Sequence, residues 1–145
     1  MQPYIICDLD GTLCLLEHRL HFIEGKNKNW KEFFKHIDAD KLNEPIDYLL
    51  KHSIDLKIIF VSGRPEEYRE KTIAWLTRFG YKEYELYLRI TGDYRQDALV
   101  KKELYQNAIE PKFGKPLFIL DDRDQAVEMW RSLGLSCFQV RKGDY

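Results

Sequence analysis

A four-residue apolar run, Tyr4-Ile5-Ile6-Cys7, breaks off abruptly into Asp8-Leu9-Asp10-Gly11-Thr12, and few other features restrict the fold of this 145-residue chain as strongly. The run is short for a helix and reads as a strand buried on both faces, the kind found in parallel sheets. In open parallel sheets, ligands bind beyond the carboxyl ends of the strands. Asp8 and Asp10, spaced i and i+2, project to one side of an extended backbone at such an end. Two carboxylates that close stay ionised together only beside a cation; otherwise one takes up a proton. Gly11 lets the chain turn sharply and approach a ligand. The plainer reading of the same residues is an acidic Asp-Gly turn.

The pattern recurs. Leu56 to Val61 is a second apolar run, broken at Ser62-Gly63-Arg64-Pro65, and Leu86 to Leu88 is a shorter third. Leu117 to Leu120 is a fourth, ending in Asp121-Asp122, and Cys137 to Val140 is a fifth. Helical periodicities lie between them. Asn43-Glu44-Pro45 opens a helix with Ile46, Leu49 and Leu50 on one face. Pro65 is expected to start another, with Tyr68, Thr72, Trp75, Leu76 and Phe79 inward and Gly80 as its stop. A third is expected from about Asp97 to Ala108, followed by a Pro/Gly loop from Glu110 to Lys115. Ala126, Met129, Trp130 and Leu133 form the inner face of a fourth, which ends at Gly134. This alternation predicts an α/β fold, a parallel sheet with helices on both faces. Residues 14–42 carry Trp30, Phe33, Phe34 and Ile37 at helical spacing and read as a small flap over the strand ends. Those aromatics serve either as the flap's own core or as a surface on which a terminal base stacks. With no linker or repeat, residues 1–145 are expected to form a single domain.

Composition limits the function classes. A net charge of −1 provides no global attraction to nucleic acid, so any such partner must be held by a local basic patch. Cys7, Cys14 and Cys137 are an odd, widely spaced set, which suits buried reduced thiols in a cytoplasmic protein. No run reaches membrane-spanning length and no basic-then-apolar leader precedes the first strand, so no membrane association is expected.

Right-handed crossovers would bring Asp8/Asp10, Ser62/Arg64 and Asp121/Asp122 to one edge of the sheet. In order, DLDGT, VSGR, a helical lysine and LDDRDQ resemble the four signatures of the haloacid dehalogenase (HAD) superfamily of phosphotransferases. The resemblance implies a Rossmannoid three-layer fold and Mg²⁺-dependent phosphoester hydrolysis through an aspartyl-phosphate. It makes Asp8 the nucleophile, Asp10 the general acid/base, and Ser62 a hydrogen-bond donor to the phosphoryl group, although Ser62 could equally cap a helix at Pro65. The metal is expected on Asp8, the Asp10 carbonyl and the Asp121/Asp122 pair, with Asp122 the direct ligand and Asp121 orienting the shell. The lysine is Lys101 or Lys102. Lys101 shares a helix face with Asp97, whereas Lys102 is turned away by about 100 degrees, and signature order favours Lys101.

Over nearly its full length the chain further resembles the 3′-phosphatase domain of bacteriophage-type polynucleotide kinase–phosphatases. The likeness is densest in GDYRQDALVKKELY and LDDRDQAVEMWRSLGLSCFQVRKGDY. It implies removal of 3′-phosphates from DNA or RNA ends, with Arg19, Arg64, Arg89, Arg95 and Asp97 around the substrate. No GxxxxGK[ST] loop occurs, so a phosphatase-only chain is expected, with any kinase or ligase supplied separately. A small-molecule nucleotidase is the alternative within enzymes. A catalytically silent phosphate- or nucleic-acid-binding module is the alternative outside them, and intact Asp8, Asp10, Lys101 and Asp122 argue against it.

Overall fold

The computed structural model describes residues 2–145. Five strands, β1 (Tyr4–Cys7), β4 (Lys57–Pro65), β5 (Glu85–Arg89), β6 (Phe118–Arg123) and β7 (Cys137–Gly143), form one sheet in the order β5-β4-β1-β6-β7. Every neighbouring pair is parallel, as the two-sided burial of β1 requires. The chain runs outward from β1 through β4 to β5, then crosses back to β6 and β7 on the other side. That reversal makes the carboxyl end of β1 a topological switch point, where open α/β sheets bind ligands.

Strand alternation sorts the core into two layers. Tyr4, Ile6, Ile59, Val61 and Ile119 face the helices α4 (Asp97–Leu104) and α6 (Asp124–Ser132), meeting Tyr105, Ala126, Met129 and Trp130. Ile5, Cys7, Phe60 and Leu120 face α2 (Glu44–His52) and α3 (Arg69–Arg78), meeting Leu50, Trp75 and Leu76. All four β1 side chains are buried, and each large apolar one contributes about 1.5–3 kcal/mol. That anchors a strand whose continuation carries mutually repelling carboxylates. The three cysteines are buried and free. Among the described residues, no helix is long and apolar enough to cross a membrane.

Three local features differ from the sequence reading. The second strand does not yield to a helix at Pro65; β4 continues through it, and a 3₁₀ turn (Glu66–Tyr68) precedes α3. Pro65 is extended (φ −63°, ψ 149°), and a register slip after Ser62 pairs it with Arg89. The expected Pro/Gly loop is instead α5 (Glu110–Phe113), reached from α4 through a π turn (Tyr105–Ile109). Pro111, which has no N–H to donate, lies just past that π turn. In the flap, the two-residue strands β2 (Cys14–Leu15) and β3 (Lys41–Leu42) pair antiparallel. They pin both ends of the segment carrying α1 (Trp30–Lys35), whose N-cap Asn29 accepts from the Glu32 N–H.

Candidate active site

Asp8 leaves the end of β1 in a fully formed electrostatic pocket. Lys101 Nζ donates to Asp8 Oδ1 at 2.9 Å and to Asp121 Oδ2 at 3.0 Å, and stands 3.3 Å from Asp97 Oδ2. The i,i+4 spacing of Asp97 and Lys101 on α4 makes this three-way contact possible. Thr12 Oγ1 donates to Asp8 Oδ2 at 3.1 Å and lies 3.5 Å from Asp122 Oδ1. Burial, together with the Asp121 carboxylate, pushes the Asp8 carboxyl well above the ordinary range, against the pull of Lys101. Burial and Asp121 likewise push Asp122 up to about 6. Burial alone would lower the Lys101 ammonium, but the surrounding carboxylates hold it well above its ordinary value.

The two acids at the end of β6 have different partners. Asp121 Oδ1 accepts the N–H groups of Asp122 and Arg123, and its Oδ2 accepts Trp130 Nε1 as well as Lys101. Asp122 keeps Oδ1 towards Thr12 and Asp8. Asp8, Asp121 and Asp122 present carboxylate oxygens within 4.8 Å of one another, all buried. A single ammonium cannot neutralise that set, and an all-oxygen donor group with excess negative charge suits a hard divalent cation. The residues therefore fit the cation that the sequence implies. Asp121 thus accepts from four donors, against two at Asp122. Gly11 (φ +84°) is required beside it, because a Cβ there would run into the Asp122 carboxylate.

Asp10 points away from this cluster. Arg64 reaches it through Nε (3.1 and 3.2 Å) and Nη2 (2.7 Å), and Arg19 Nη2 also donates to it. Behind them lies Asp40, fully enclosed, bonded to Arg19 at 2.6–2.7 Å and to Arg64 at 3.3 Å. Burial would raise Asp10, but the two guanidiniums outweigh it and hold the carboxyl well below the usual carboxylate range.

Here the structure departs from the substrate-binding expectation for Arg19 and Arg64. Both side chains are fully buried, and neither lines the open cavity. Arg64 is tied to Thr72 (3.1 Å), and the Arg19 guanidinium packs over Phe33 at 4.2 Å. Asp97 is largely buried but does line the cavity, where it pairs with Lys101, Arg89 (3.5 Å) and Arg123 (3.8 Å). Ser62 Oγ accepts the Arg64 N–H at 3.1 Å inside the β4 turn and caps no helix.

Arg89 does reach the cavity, fixed by the Gly63 and Asp93 carbonyls. Arg95 lines its rim but is committed to Asp93 and Glu103, both at 2.7–2.8 Å. Thr12, Asp40, Arg123 and Tyr145 belong to the site and were not singled out from sequence. Arg123 follows the acid pair at a strand end and was legible on that ground; Asp40 lies in the flap with no local signal.

The cavity opens over Asp8 and Asp10 and encloses about 620 Å³. Trp30, Phe33, Phe34 and Tyr68 line it with Lys28 and Lys31, and Arg89, Gln96, Arg123 and Tyr145 complete the lining. Phe33 is flap core, whereas Trp30 and Phe34 remain partly exposed and stack with centroids 5.9 Å apart.

A strand-end aspartate paired with a helical lysine, a second aspartate two residues on, and an acid pair from the neighbouring strand define a phosphatase domain of the HAD type. The comparisons narrow this further. Residues 2–145 match the family described as the polynucleotide kinase PNKP phosphatase domain, and the chain belongs to that family. A protein named putative bifunctional polynucleotide kinase/RNA ligase, from Autographa californica nuclear polyhedrosis virus, is 29% identical over 133 residues, 89% of this chain and 18% of its own length. A chain in the Pnkp1/Rnl/Hen1 RNA repair complex superposes over 100% of this chain with a TM-score of 0.87 at 40% identity. A second structure of the Pnkp1/Rnl/Hen1 complex gives 0.86 at 40%. The present chain spans 44% and 48% of those two chains, less than half of each.

Proposed function

We propose that this protein is a Mg²⁺-dependent phosphomonoesterase that removes 3′-phosphates from polynucleotide ends through an aspartyl-phosphate on Asp8. The observation that carries the chemistry is Asp8 itself, anchored by Lys101 and facing the cavity. Family membership, and the polynucleotide kinase, RNA ligase and RNA repair assemblies among its relatives, support the nucleic-acid substrate. A separate or linked kinase or ligase fits the same pattern.

Asp8 attacks phosphorus in line, held and charge-balanced from behind by Lys101, while Arg89 meets the phosphoryl oxygens. Mg²⁺ held by Asp8, Asp122 and the Asp10 carbonyl would neutralise the negative charge that otherwise repels a dianionic ester. Arg19, Arg64 and Asp40 set the position of Asp10, which handles the leaving-group and water protons. Its pairing with two guanidiniums keeps it ionised and weakens it as a base. Donation to the leaving oxygen calls for a state in which phosphate charge draws part of that guanidinium density away.

The exposed faces of Trp30 and Phe34 beside Lys28 and Lys31 suit a terminal nucleotide, with stacking worth about 1–3 kcal/mol per base. The test is a panel with Mg²⁺: 3′- and 5′-phosphorylated oligonucleotides and the 3′- and 5′-mononucleotides. The 3′-phosphorylated oligonucleotide is expected to give the highest kcat/KM, about tenfold or more above the 3′-mononucleotide, because contacts remote from the reacting phosphate favour the polymer. A preference for mononucleotides or for 5′-phosphates would transfer the protein to the nucleotidases.

A further inference from the structure

The catalytic set leaves one elaborate contact unexplained. Residues 143–145 fold back over the end of β6, and four features fix them there. The phenol of Tyr145 donates to Asp122 Oδ2 at 2.8 Å and lies 3.2 Å from the Asp10 carbonyl oxygen. The Tyr145 carbonyl accepts from Arg123 Nε at 2.6 Å, and the Arg123 guanidinium stands 4.9 Å above the phenol ring. The ring also packs against the flap cluster of Leu16, Ile23 and Phe33. Finally, the β6–β7 register slips between Asp121 and Arg123, so that Arg123 faces Gly143. A Cβ on Gly143 would come within 2.5 Å of the Asp122 carbonyl, so only glycine allows this approach.

The hydroxyl thus touches two groups of the proposed cation site, the Asp122 carboxylate and the Asp10 carbonyl. Asp122 Oδ1 lies 3.5 Å from Thr12 Oγ1 while Oδ2 is occupied by the phenol. A carboxylate bonded at one oxygen by a buried donor is held in a single rotation, with its other oxygen aimed in a fixed direction. Groups that orient metal ligands in this way typically change affinity by about 10–100-fold when removed.

We propose that Tyr145 is a positioning residue for the divalent-cation site: its hydroxyl fixes the Asp122 carboxylate, and the 143–145 clasp thereby sets how tightly the cation binds. The inference rests on the cation site of the proposed function. It differs from a packing role in one respect: packing is supplied by the ring and the backbone, positioning by the hydroxyl.

Tyr145→Phe separates the two, since it keeps the ring beneath Arg123 and deletes only the donor. Mn²⁺ serves as the probe, with free ion counted by electron paramagnetic resonance, alongside melting temperature in chelator. Tyr145→Phe is expected to bind Mn²⁺ about tenfold more weakly than wild type, with a much smaller loss of metal-free melting temperature than Tyr145→Ala. Mn²⁺ affinity equal to wild type in Tyr145→Phe overturns the proposal, whatever happens to melting. Equal losses of affinity in both variants, accompanied by equal drops in metal-free melting temperature, overturn it too, because a folding defect then explains the change. Failure of wild type itself to bind Mn²⁺ removes the cation site and this inference together. If Tyr145→Phe binds weakly but wild type fails on every 3′-phosphate, the inference stands while the substrate reading falls.

Discussion

Asp8→Asn is expected to lower phosphate release by about four orders of magnitude or more, yet to melt no lower than wild type when metal is chelated. The amide has nearly the shape of the carboxylate and can still bond Thr12 and Lys101, but it cannot act as the nucleophile. The stability half of the expectation comes from linkage. Burial and Asp121 raise the Asp8 carboxyl well above its ordinary value in the folded protein, so the folded state binds that proton more tightly than the unfolded chain does. Stability from this group is therefore present at acid pH and declines as pH rises beyond the ordinary carboxylate range. The neutral amide abolishes the penalty, so any advantage over wild type should be largest near neutral pH and vanish towards about pH 4. Saturating Mg²⁺ should reverse the ranking, because only wild type gains a ligand charge from Asp8. Lower melting of Asp8→Asn in chelator at neutral pH would show that the carboxylates are not in excess of their counter-charge.

Lys101→Met should be the most destabilising single change at the site. It leaves Asp8, Asp97 and Asp121 buried around an apolar side chain, where Lys101 now bonds all three. Removing one partner from a buried ion cluster typically costs about 3–5 kcal/mol, a drop of roughly 10 °C for a chain of this size. Activity should fall about 10²–10³-fold from the lost charge alone. The carboxylates can relieve their repulsion by protonation, so the stability deficit should shrink as pH is lowered from about 8 to about 5. Combining Lys101→Met with Asp8→Asn should recover part of it, since the residues are in direct contact and their effects are not additive. A melting temperature within a few degrees of wild type at neutral pH would mean that Lys101 does not balance these acids.

The catalytic carboxylates were legible because each lies where a local rule applies: an apolar strand ends, and polar residues follow at the ligand-binding edge of the sheet. Asp8, Asp10, Asp121 and Asp122 all meet that condition, and the order of the signatures favoured Lys101, which shares a helix face with Asp97. The arginines show where such reading stops. Arg19 and Arg64 were expected at the substrate through the family resemblance, and arginine does suit phosphate, but guanidiniums serve buried carboxylates equally well, and nothing local distinguishes the two uses. The deciding partner, Asp40, sits 21 residues from Arg19 and 24 from Arg64. Tyr145 was invisible for the same reason: its contact with Asp122 depends on a register slip between β6 and β7. The flap aromatics were read correctly as helical in spacing, but only the fold separates enclosed Phe33 from the partly open Trp30 and Phe34.

The covalent step can be observed directly. Borohydride reduces an acyl phosphate but not a free carboxylate, so it converts a phosphorylated aspartate to homoserine. Protein quenched with borohydride during Mg²⁺-supported turnover of a 3′-phosphorylated oligonucleotide is expected to carry homoserine in place of Asp8 and an unchanged Asp10. Samples lacking substrate, or chelated, should carry neither change. Active turnover with Asp8 unmodified, or with the reduced residue at Asp10, Asp121 or Asp122, would contradict the assignment of Asp8 as nucleophile.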